Sequence, residues 1–246
     1  MTAPTPSAAW RQMKRGNERF ISGEPQHPRQ DVDHRSDIAT AQAPHAALFG
    51  CADSRLSAEI IFDKGLGDLF VVRNAGQVIS SSVVGSLEYA VEILHVPLIM
   101  VLSHDSCGAV AAAIEQQQAD AKPLPPHIAA ITQTLNPAIE RVRLAHGLAP
   151  GEAVDAEEVG LEHLRDTVST LLASSELISD AVAESLSKHK GGLWFEELTE
   201  VSDAALDSLS NYDGEICYQD PAEWADSLRE GECEVEFPEI IDEEVA

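Results

Sequence analysis

The chain has 246 residues, of which 44% are hydrophobic and 24% charged, and its formal net charge is −26. This length is enough to bury a full core in one large domain, or in one domain with an appendage. So acidic a chain has too little positive potential to replace the counterions around phosphates, which excludes nucleic acid as a partner. The sequence has no apolar stretch long enough to span a bilayer and no secretory signal at its start, so we expect a cytoplasmic protein without a membrane partner.

The negative charge is concentrated at the end of the chain. Residues 196–246 contain 18 of the 42 Asp and Glu residues and a single basic residue, Arg229. We interpret this segment as a solvated extension, with a docking segment or an adaptation to high salt as the alternatives. Cys217 and Cys233 lie in it without a nearby histidine, and we interpret them as incidental thiols in preference to a second zinc site.

The chain opens with a predicted helix and an arm. Residues 7–22 mix apolar with basic side chains in the manner of an amphipathic helix. Residues 23–44 are rich in Pro, His, Arg and Asp, and this composition predicts an extended arm with little core of its own.

Three short apolar runs follow, at residues 46–50, 68–73 and 97–102, separated by helix-like segments at 57–64 and 82–95. This alternation predicts an α/β fold with a central, mostly parallel sheet flanked by helices. Further helices are predicted at residues 107–118, 126–146 and 154–190, with a break at 120–126 and a strand starting near Gly192.

Two cysteine-containing motifs directly follow the first and third predicted strands. The first contains Cys51, Asp53 and Arg55, and the second contains His104 and Cys107. Parallel sheets bind ligands at the carboxyl ends of their strands, so the two motifs are expected to meet. Two thiolates and one imidazole are a suitable donor set for zinc, and three protein ligands leave the fourth tetrahedral position for water or substrate.

An open zinc site of this kind predicts hydrolytic or hydration chemistry. Zinc acidifies its bound water, so that hydroxide becomes available as a nucleophile at neutral pH. Asp53 is predicted to accept a hydrogen bond from the zinc hydroxide, and Arg55 to orient Asp53 by a bidentate contact. Alternatively, Asp53 occupies the fourth zinc position and closes the site, and a pH-driven exchange of Asp53 for water would link the two states.

The sequence resembles the β-carbonic anhydrase family, and especially its actinobacterial members. The similarity runs from Trp10 to about Glu184 and is densest at residues 16–20, 49–55, 67–76, 86–91 and 101–110. The resemblance implies the β-carbonic anhydrase fold, with zinc as the cofactor. It also implies reversible hydration of carbon dioxide to bicarbonate and a proton by attack of zinc-bound hydroxide.

The resemblance also implies roles for individual residues. Cys51, His104 and Cys107 would hold zinc, while Asp53 and Arg55 would form the catalytic dyad. A small substrate cavity would be lined by residues that match the family's pocket, with Gly108 contributing its backbone amide: Gln42, Phe70, Ala75, Tyr89 and Gly108.

The family likeness further implies a homodimer, or a tetramer built as a dimer of dimers, whose active site lies at the dimer interface. Residues 1–45 would then be the N-terminal helix and dimerisation arm, residues 46–200 the zinc-binding catalytic domain, and residues 201–246 the acidic C-terminal extension.

The sequence departs from the family pattern at two places. Members with an allosteric bicarbonate site carry a Trp where this chain has Leu48, although Arg73 matches another residue of that site. After about Lys190 the similarity is poor, and the edge strand expected there is assigned either to residues 193–197 or to residues 215–219.

Two other functions compete with carbon dioxide hydration. A hydrolase of carbon disulfide or carbonyl sulfide would use the same zinc site, because these linear triatomic molecules would meet the same hydroxide. A zinc-stabilised scaffold without turnover is the second alternative, but it would not require the Asp53–Arg55 pair beside an open metal position.

Overall fold

The structure is a computed structural model that describes residues 5–187. By its internal contacts the chain divides after Ile178, and residues 5–178 pack together as one compact unit. Within residues 5–187, no helix is long and apolar enough to cross a membrane. The elements in chain order are α1 (Pro6–Ser22), α2 (Val32–Asp37), β1 (Ala46–Cys51), α3 (Ala58–Ile61), β2 (Leu69–Asn74), α4 (Ser81–Glu92), β3 (Ile99–Leu102), α5 (Gly108–Glu115), α6 (Pro126–Gln133), α7 (Asn136–Ala145), α8 (Ala156–Ser174) and α9 (Glu176–Ser187).

The predicted parallel α/β sheet is confirmed. The described residues contain one three-stranded sheet in the order β2-β1-β3, with both pairs parallel. Every residue of the central strand β1 is buried, as expected of a strand covered on both faces. Because Cys51 pairs with Asn74 and Gly50 with Leu102, the three strands end side by side at one edge of the sheet.

Helices cover the two faces of the sheet. Alternate residues of a strand point to opposite faces, and β1 follows this rule. Leu48 packs with Met13 of α1 and Phe62 on one face. Cys51 belongs to the larger cluster on the other face, which is built from α5, α7 and α8 and includes Val110, Ile139 and Val159.

Several element boundaries differ from those predicted. The arm is not wholly extended, because α2 forms within it, where the Asp31 carboxylate accepts a hydrogen bond from the His34 N–H at 2.8 Å and caps the helix. The helix predicted for residues 57–64 is only four residues long. The patterns at 126–146 and 154–190 are each interrupted within the described residues, near Leu135 and at Ser175. The strand predicted near Gly192 lies outside the described residues.

Two buried carboxylates, those of Asp63 and Asp68, hold the arm against the segment that joins α3 to β2. Asp63, whose side chain is 1% exposed, accepts hydrogen bonds from Arg19 Nε at 2.5 Å and from the backbone N–H groups of Gln26 and His27 at 3.0 and 2.9 Å. Asp68 accepts hydrogen bonds from the Arg29 guanidinium and from a backbone N–H of its own loop. The arm is therefore held by charge-assisted hydrogen bonds as well as by apolar packing.

Helix α1 also lies unusually close to the loop after α3. A Cβ atom placed on Gly16 would be 1.8 Å from the carbonyl oxygen of Phe62. No side chain fits in this space, so glycine is required at residue 16 for α1 to reach the sheet.

We expect Asp63→Asn to lower the free energy of unfolding by about 3 kcal/mol, because it removes one partner of a buried ion pair and places an amide among hydrogen-bond donors. Burial alone would raise the pKa of Asp63, but hydrogen bonds from Gln26, Arg19 and His27 outweigh it and hold that pKa below its usual value. A carboxyl with a lowered folded-state pKa stabilises the protein above its unfolded-state pKa of about 4 and loses this effect as pH falls through the folded-state pKa. The variant should therefore also show a shallower loss of stability in acid.

Urea denaturation at fixed protein concentration, between neutral pH and pH 3, measures both effects. The control is Arg165→Ala, which removes an exposed partner of Glu162 and should cost less than about 1 kcal/mol. Equal losses in the two variants would contradict the anchoring role of Asp63.

Candidate metal centre

Three side chains with metal-binding atoms meet at the carboxyl edge of the sheet. Cys51 is the last residue of β1, His104 follows the end of β3, and Cys107 immediately precedes α5. One ligand atom from each lies within 4.8 Å of the other two, the only such group among residues 5–187. The register of the parallel strands brings the two motifs together, since β1 and β3 are neighbours in the sheet.

The imidazole of His104 is oriented for ligation through Nε2. Its Nδ1 lies 2.7 Å from the carbonyl oxygen of Asp105. A carbonyl can only accept a hydrogen bond, so Nδ1 carries the proton and Nε2 carries the lone pair. Nε2 is buried and has no hydrogen-bond partner among the described residues. An unpaired buried lone pair beside two sulfurs fits a zinc ion, whose histidine ligands are commonly oriented through the other ring nitrogen.

The two cysteines are buried free thiols, 7% and 5% exposed. Burial raises the pKa of Cys107, and the nearby sulfur of Cys51 adds to this effect. The N–H groups of Val110 and Ala109 at the start of α5 act in the opposite direction and favour the thiolate. The Gly76 N–H donates a hydrogen bond to Cys51 Sγ at 3.4 Å.

Asp53 and Arg55 form an ion pair beside the three candidate ligands. Arg55 Nε and Nη2 donate to the two carboxylate oxygens of Asp53 at 2.9 and 2.8 Å, and the Arg55 N–H donates to Asp53 at 2.9 Å. The side-chain hydrogen bonds from Arg55, followed by its backbone hydrogen bond, lower the pKa of Asp53 well below its usual value. The carboxylate is therefore ionised at neutral pH, and both its oxygens are engaged by the guanidinium.

Asp53 lies outside the group of ligand atoms in this arrangement. Only Cys51, His104 and Cys107 form that group among residues 5–187. For Asp53 to reach the metal position, its bidentate pair with Arg55 would have to break. In this geometry Arg55 holds the Asp53 carboxylate away from the three candidate ligand atoms, and both the open and the closed form of the site stay predictions.

Two side chains hold the loops that carry these groups, and neither role was predicted from the sequence. Arg73 Nε and Nη2 donate to the carbonyl oxygens of Cys51 and Asp53 at 2.8 and 2.5 Å. Glu157 of α8 accepts a hydrogen bond from the Ser106 N–H at 3.0 Å. The role of Arg73 was predictable in part, because an arginine near the end of β2 lies beside the end of β1, where Cys51 is. Glu157 lies on a helix without a motif, so nothing in the sequence indicated its role.

The residues predicted to line a substrate cavity occupy several elements. Phe70 of β2 and Tyr89 of α4 contact each other, with ring centroids 6.2 Å apart. Ala75 begins the turn after β2, and Gly108 is the first residue of α5. Gln42 is exposed in the loop before β1 and makes no hydrogen bond with another described residue through its side chain.

Fold and site together define the class of protein: an α/β protein with a candidate catalytic metal centre of two sulfurs and one nitrogen. The family model described as "Carbonic anhydrase" matches residues 46–195. Carbonic anhydrase 2 of Mycobacterium tuberculosis is 49% identical over 190 residues, covering 74% of this chain and 85% of the relative. A carbonic anhydrase of Mycolicibacterium smegmatis is 44% identical over 183 residues, again covering 74% of this chain and 85% of the relative.

Solved structures agree on the fold. The β-carbonic anhydrase CcaA matches with a TM-score of 0.51 and 22% identity, covering 70% of this chain and 84% of that chain. One of two tetrameric β-carbonic anhydrases from Sordaria macrospora matches with the same TM-score and identity, covering 71% and 86%. The chain belongs to the carbonic anhydrases of the β class.

Proposed function

We propose that this protein catalyses the reversible hydration of carbon dioxide to bicarbonate and a proton at a zinc ion held by Cys51, His104 and Cys107. The observation that carries the proposal is the convergence of these three donors within 4.8 Å, with the lone pair of His104 Nε2 buried and unpaired among the described residues. Membership of the family supports the reaction, and the donor set supports zinc.

The chemistry that zinc supplies when bound is Lewis acidity, which makes hydroxide available as a nucleophile near neutral pH. Asp53 accepts a hydrogen bond from the attacking oxygen and so directs its lone pair at carbon dioxide. Arg55 keeps Asp53 ionised and fixes its orientation through two parallel hydrogen bonds. Arg73 holds the backbone between these groups by binding the carbonyl oxygens of Cys51 and Asp53.

The proposed substrate cavity is small and largely apolar. Phe70, Tyr89 and Ala75 would exclude water from around carbon dioxide, and the contact between the two rings supports a shared wall. The exposed amide of Gln42 would donate a hydrogen bond to a substrate oxygen, as would the backbone N–H of Gly108 at the start of α5.

The proposed assembly is a homodimer or a dimer of dimers in the cytoplasm. Large apolar side chains of α1 are exposed in the single chain, since Trp10, Phe20 and Ile21 are 45%, 41% and 75% exposed. Covering such residues favours association. Free thiols at the site are consistent with a reducing compartment. The proposed division into an arm (1–45), a catalytic domain (46–200) and an acidic extension (201–246) follows the same assignment.

Stopped-flow carbon dioxide hydration by the purified protein, with its zinc content measured on the same sample, tests the proposal. We expect one zinc ion per chain and a rate that disappears when the metal is chelated and returns when zinc is restored. Carbon disulfide serves as the comparison substrate. Hydrogen sulfide release without carbon dioxide hydration would replace the proposed reaction, and full zinc loading without turnover on either substrate would indicate a scaffold.

A further inference from the structure

The turn that follows β2 has a backbone conformation that contacts with neighbouring elements must stabilise. Gly76 and Gln77 have φ angles of +72° and +41°, so two consecutive residues occupy the left-handed region. This region is unfavourable for a residue with a side chain, such as Gln77, unless the surroundings hold it there. A Cβ on Gly76 would lie 2.8 Å from the Cβ of Ala109, so the turn is wedged against α5.

Helix α8 supplies the support mainly through His163, and Thr167 lies one turn further along the same face. His163 Nε2 lies 2.7 Å from the carbonyl oxygen of Gly76. Thr167 Oγ1 lies 3.4 Å from the carbonyl oxygen of Gln77 and 2.8 Å from that of His163. Residues four positions apart share a face of a helix, so both groups point at the same turn.

The contact from His163 is made by a neutral imidazole with a defined tautomer. The Gly76 carbonyl can only accept, so Nε2 carries the proton. Burial lowers the pKa of His163, although its hydrogen bond to Gly76 and the charge of Asp166 oppose this. Nδ1 is buried and has no partner among the described residues. The side chain thus directs a single donor at a single carbonyl.

The other end of Gly76 contacts a metal ligand. Its N–H donates to Cys51 Sγ at 3.4 Å, while its carbonyl accepts from His163. Gly76 is therefore fixed on both sides, between helix α8 and the sulfur of Cys51. In the described part of the chain His163 is the side chain that binds the Gly76 carbonyl, so its removal would free the turn to relax away from Cys51.

We propose that His163 is a positioning residue for the metal centre, which holds the backbone of Gly76 so that its N–H remains hydrogen-bonded to the Cys51 thiolate. The inference rests on the proposed zinc site and adds to it a residue more than fifty positions beyond the last ligand. A hydrogen bond to a ligating thiolate fixes the direction of its lone pairs and reduces the charge on the sulfur. Loss of the support should change both metal retention and the electronic environment of Cys51.

Two substitutions separate donation from packing. His163→Leu fills a comparable volume without a donor, whereas His163→Gln places an amide N–H close to the position of Nε2. We expect His163→Leu to release zinc to a competing chelator with an apparent affinity weaker by up to about 10-fold, the low end of the range for loss of a group bonded directly to a ligand, because His163 acts through Gly76. The thiolate-to-cobalt absorption band of the cobalt(II)-loaded protein should shift, and the Gly76 amide should lose protection from hydrogen exchange. His163→Gln should restore most of each property.

Leu171→Ala is the matched control, because it weakens the packing of the same helix at a buried residue whose side chain carries no hydrogen-bond donor. It should leave the cobalt band and the zinc affinity unchanged despite a lower melting temperature. If His163→Leu does not fold, His163→Asn is measured in its place, since its amide is too short to reach the Gly76 carbonyl.

Wild-type zinc affinity and cobalt spectra in the donor-less variant would overturn the inference while leaving the zinc site intact. Equal changes in Leu171→Ala would also overturn it, because the effect would then be general loosening. A wild-type protein that binds neither zinc nor cobalt would instead reject the proposed function itself.

Discussion

Cys51→Ser is expected to remove zinc and reduce carbon dioxide hydration to the uncatalysed background. Serine keeps the shape of the side chain but offers a hydroxyl, which remains protonated at neutral pH and is a poor zinc ligand. Cys51 is also the ligand that receives the hydrogen bond from Gly76 and ends the buried central strand. Since loss of an outer partner already weakens metal binding by about 10- to 100-fold, loss of a direct ligand should weaken it by more than about 100-fold.

The chain offers its own control for this substitution. Cys217→Ser changes a thiol of the acidic extension, and we expect it to retain the zinc content and the hydration rate of the parent. Zinc per chain and stopped-flow rates are measured on the same preparations. Full activity with stoichiometric zinc in Cys51→Ser would remove Cys51 from the site. Loss of a second zinc equivalent in Cys217→Ser would instead establish a metal site in the extension.

The parts of the site that the sequence predicted are those set by local patterns. The apolar run of β1 ends at Cys51, and that of β3 ends two residues before His104. Parallel strands of one sheet place such ends together, so a pattern of single residues was enough to predict a common site. The pairing of Asp53 with Arg55 depends on a two-residue separation and is equally local.

The supporting contacts could not be predicted because they join residues far apart in sequence. His163 and Gly76 are separated by 87 residues, and Glu157 and Ser106 by 51. In both contacts the group on the loop is a backbone group, the carbonyl of Gly76 or the N–H of Ser106. Backbone groups are present in every residue and leave no specific signal in the sequence. In sequence, His163 is one polar residue in an otherwise ordinary amphipathic helix.

The arm shows the same limitation in a structural role. Its composition predicted an extended segment without a core, yet residues of the arm are held by Asp63 and Asp68, which are almost fully buried. Aspartates are usually exposed, so a sequence pattern gives no reason to bury them. Backbone N–H groups and Arg29 of the arm, together with Arg19 of α1, satisfy these carboxylates, and only the folded chain brings them together.

Asp53→Ala is expected to retain zinc but to lose most of its turnover. The three ligands do not depend on the carboxylate, because Asp53 lies outside the group of ligand atoms. The acceptor that orients the attacking oxygen would be missing, and removal of one such oriented group typically costs about 100- to 1,000-fold in kcat. Glu162→Gln is the control, since it changes a carboxylate that also binds arginines but lies on α8, where its partners are Arg141 and Arg165.

Arg55→Ala completes the test of the pair by freeing Asp53 while leaving it in place. Without the guanidinium on both oxygens, Asp53 can turn towards the metal, so this variant should favour the closed form and lose turnover while it still binds zinc. Cobalt(II) spectra distinguish the variants, because Asp53 would be free to offer its carboxylate to the metal in Arg55→Ala, whereas Asp53→Ala has no carboxylate to offer. Normal kcat in Asp53→Ala would show that the oxygen is oriented without the carboxylate. An unchanged cobalt spectrum and rate in Arg55→Ala would show that Arg55 does not restrain Asp53. This conclusion would hold whether Asp53 acts as a hydrogen-bond acceptor or as a metal ligand.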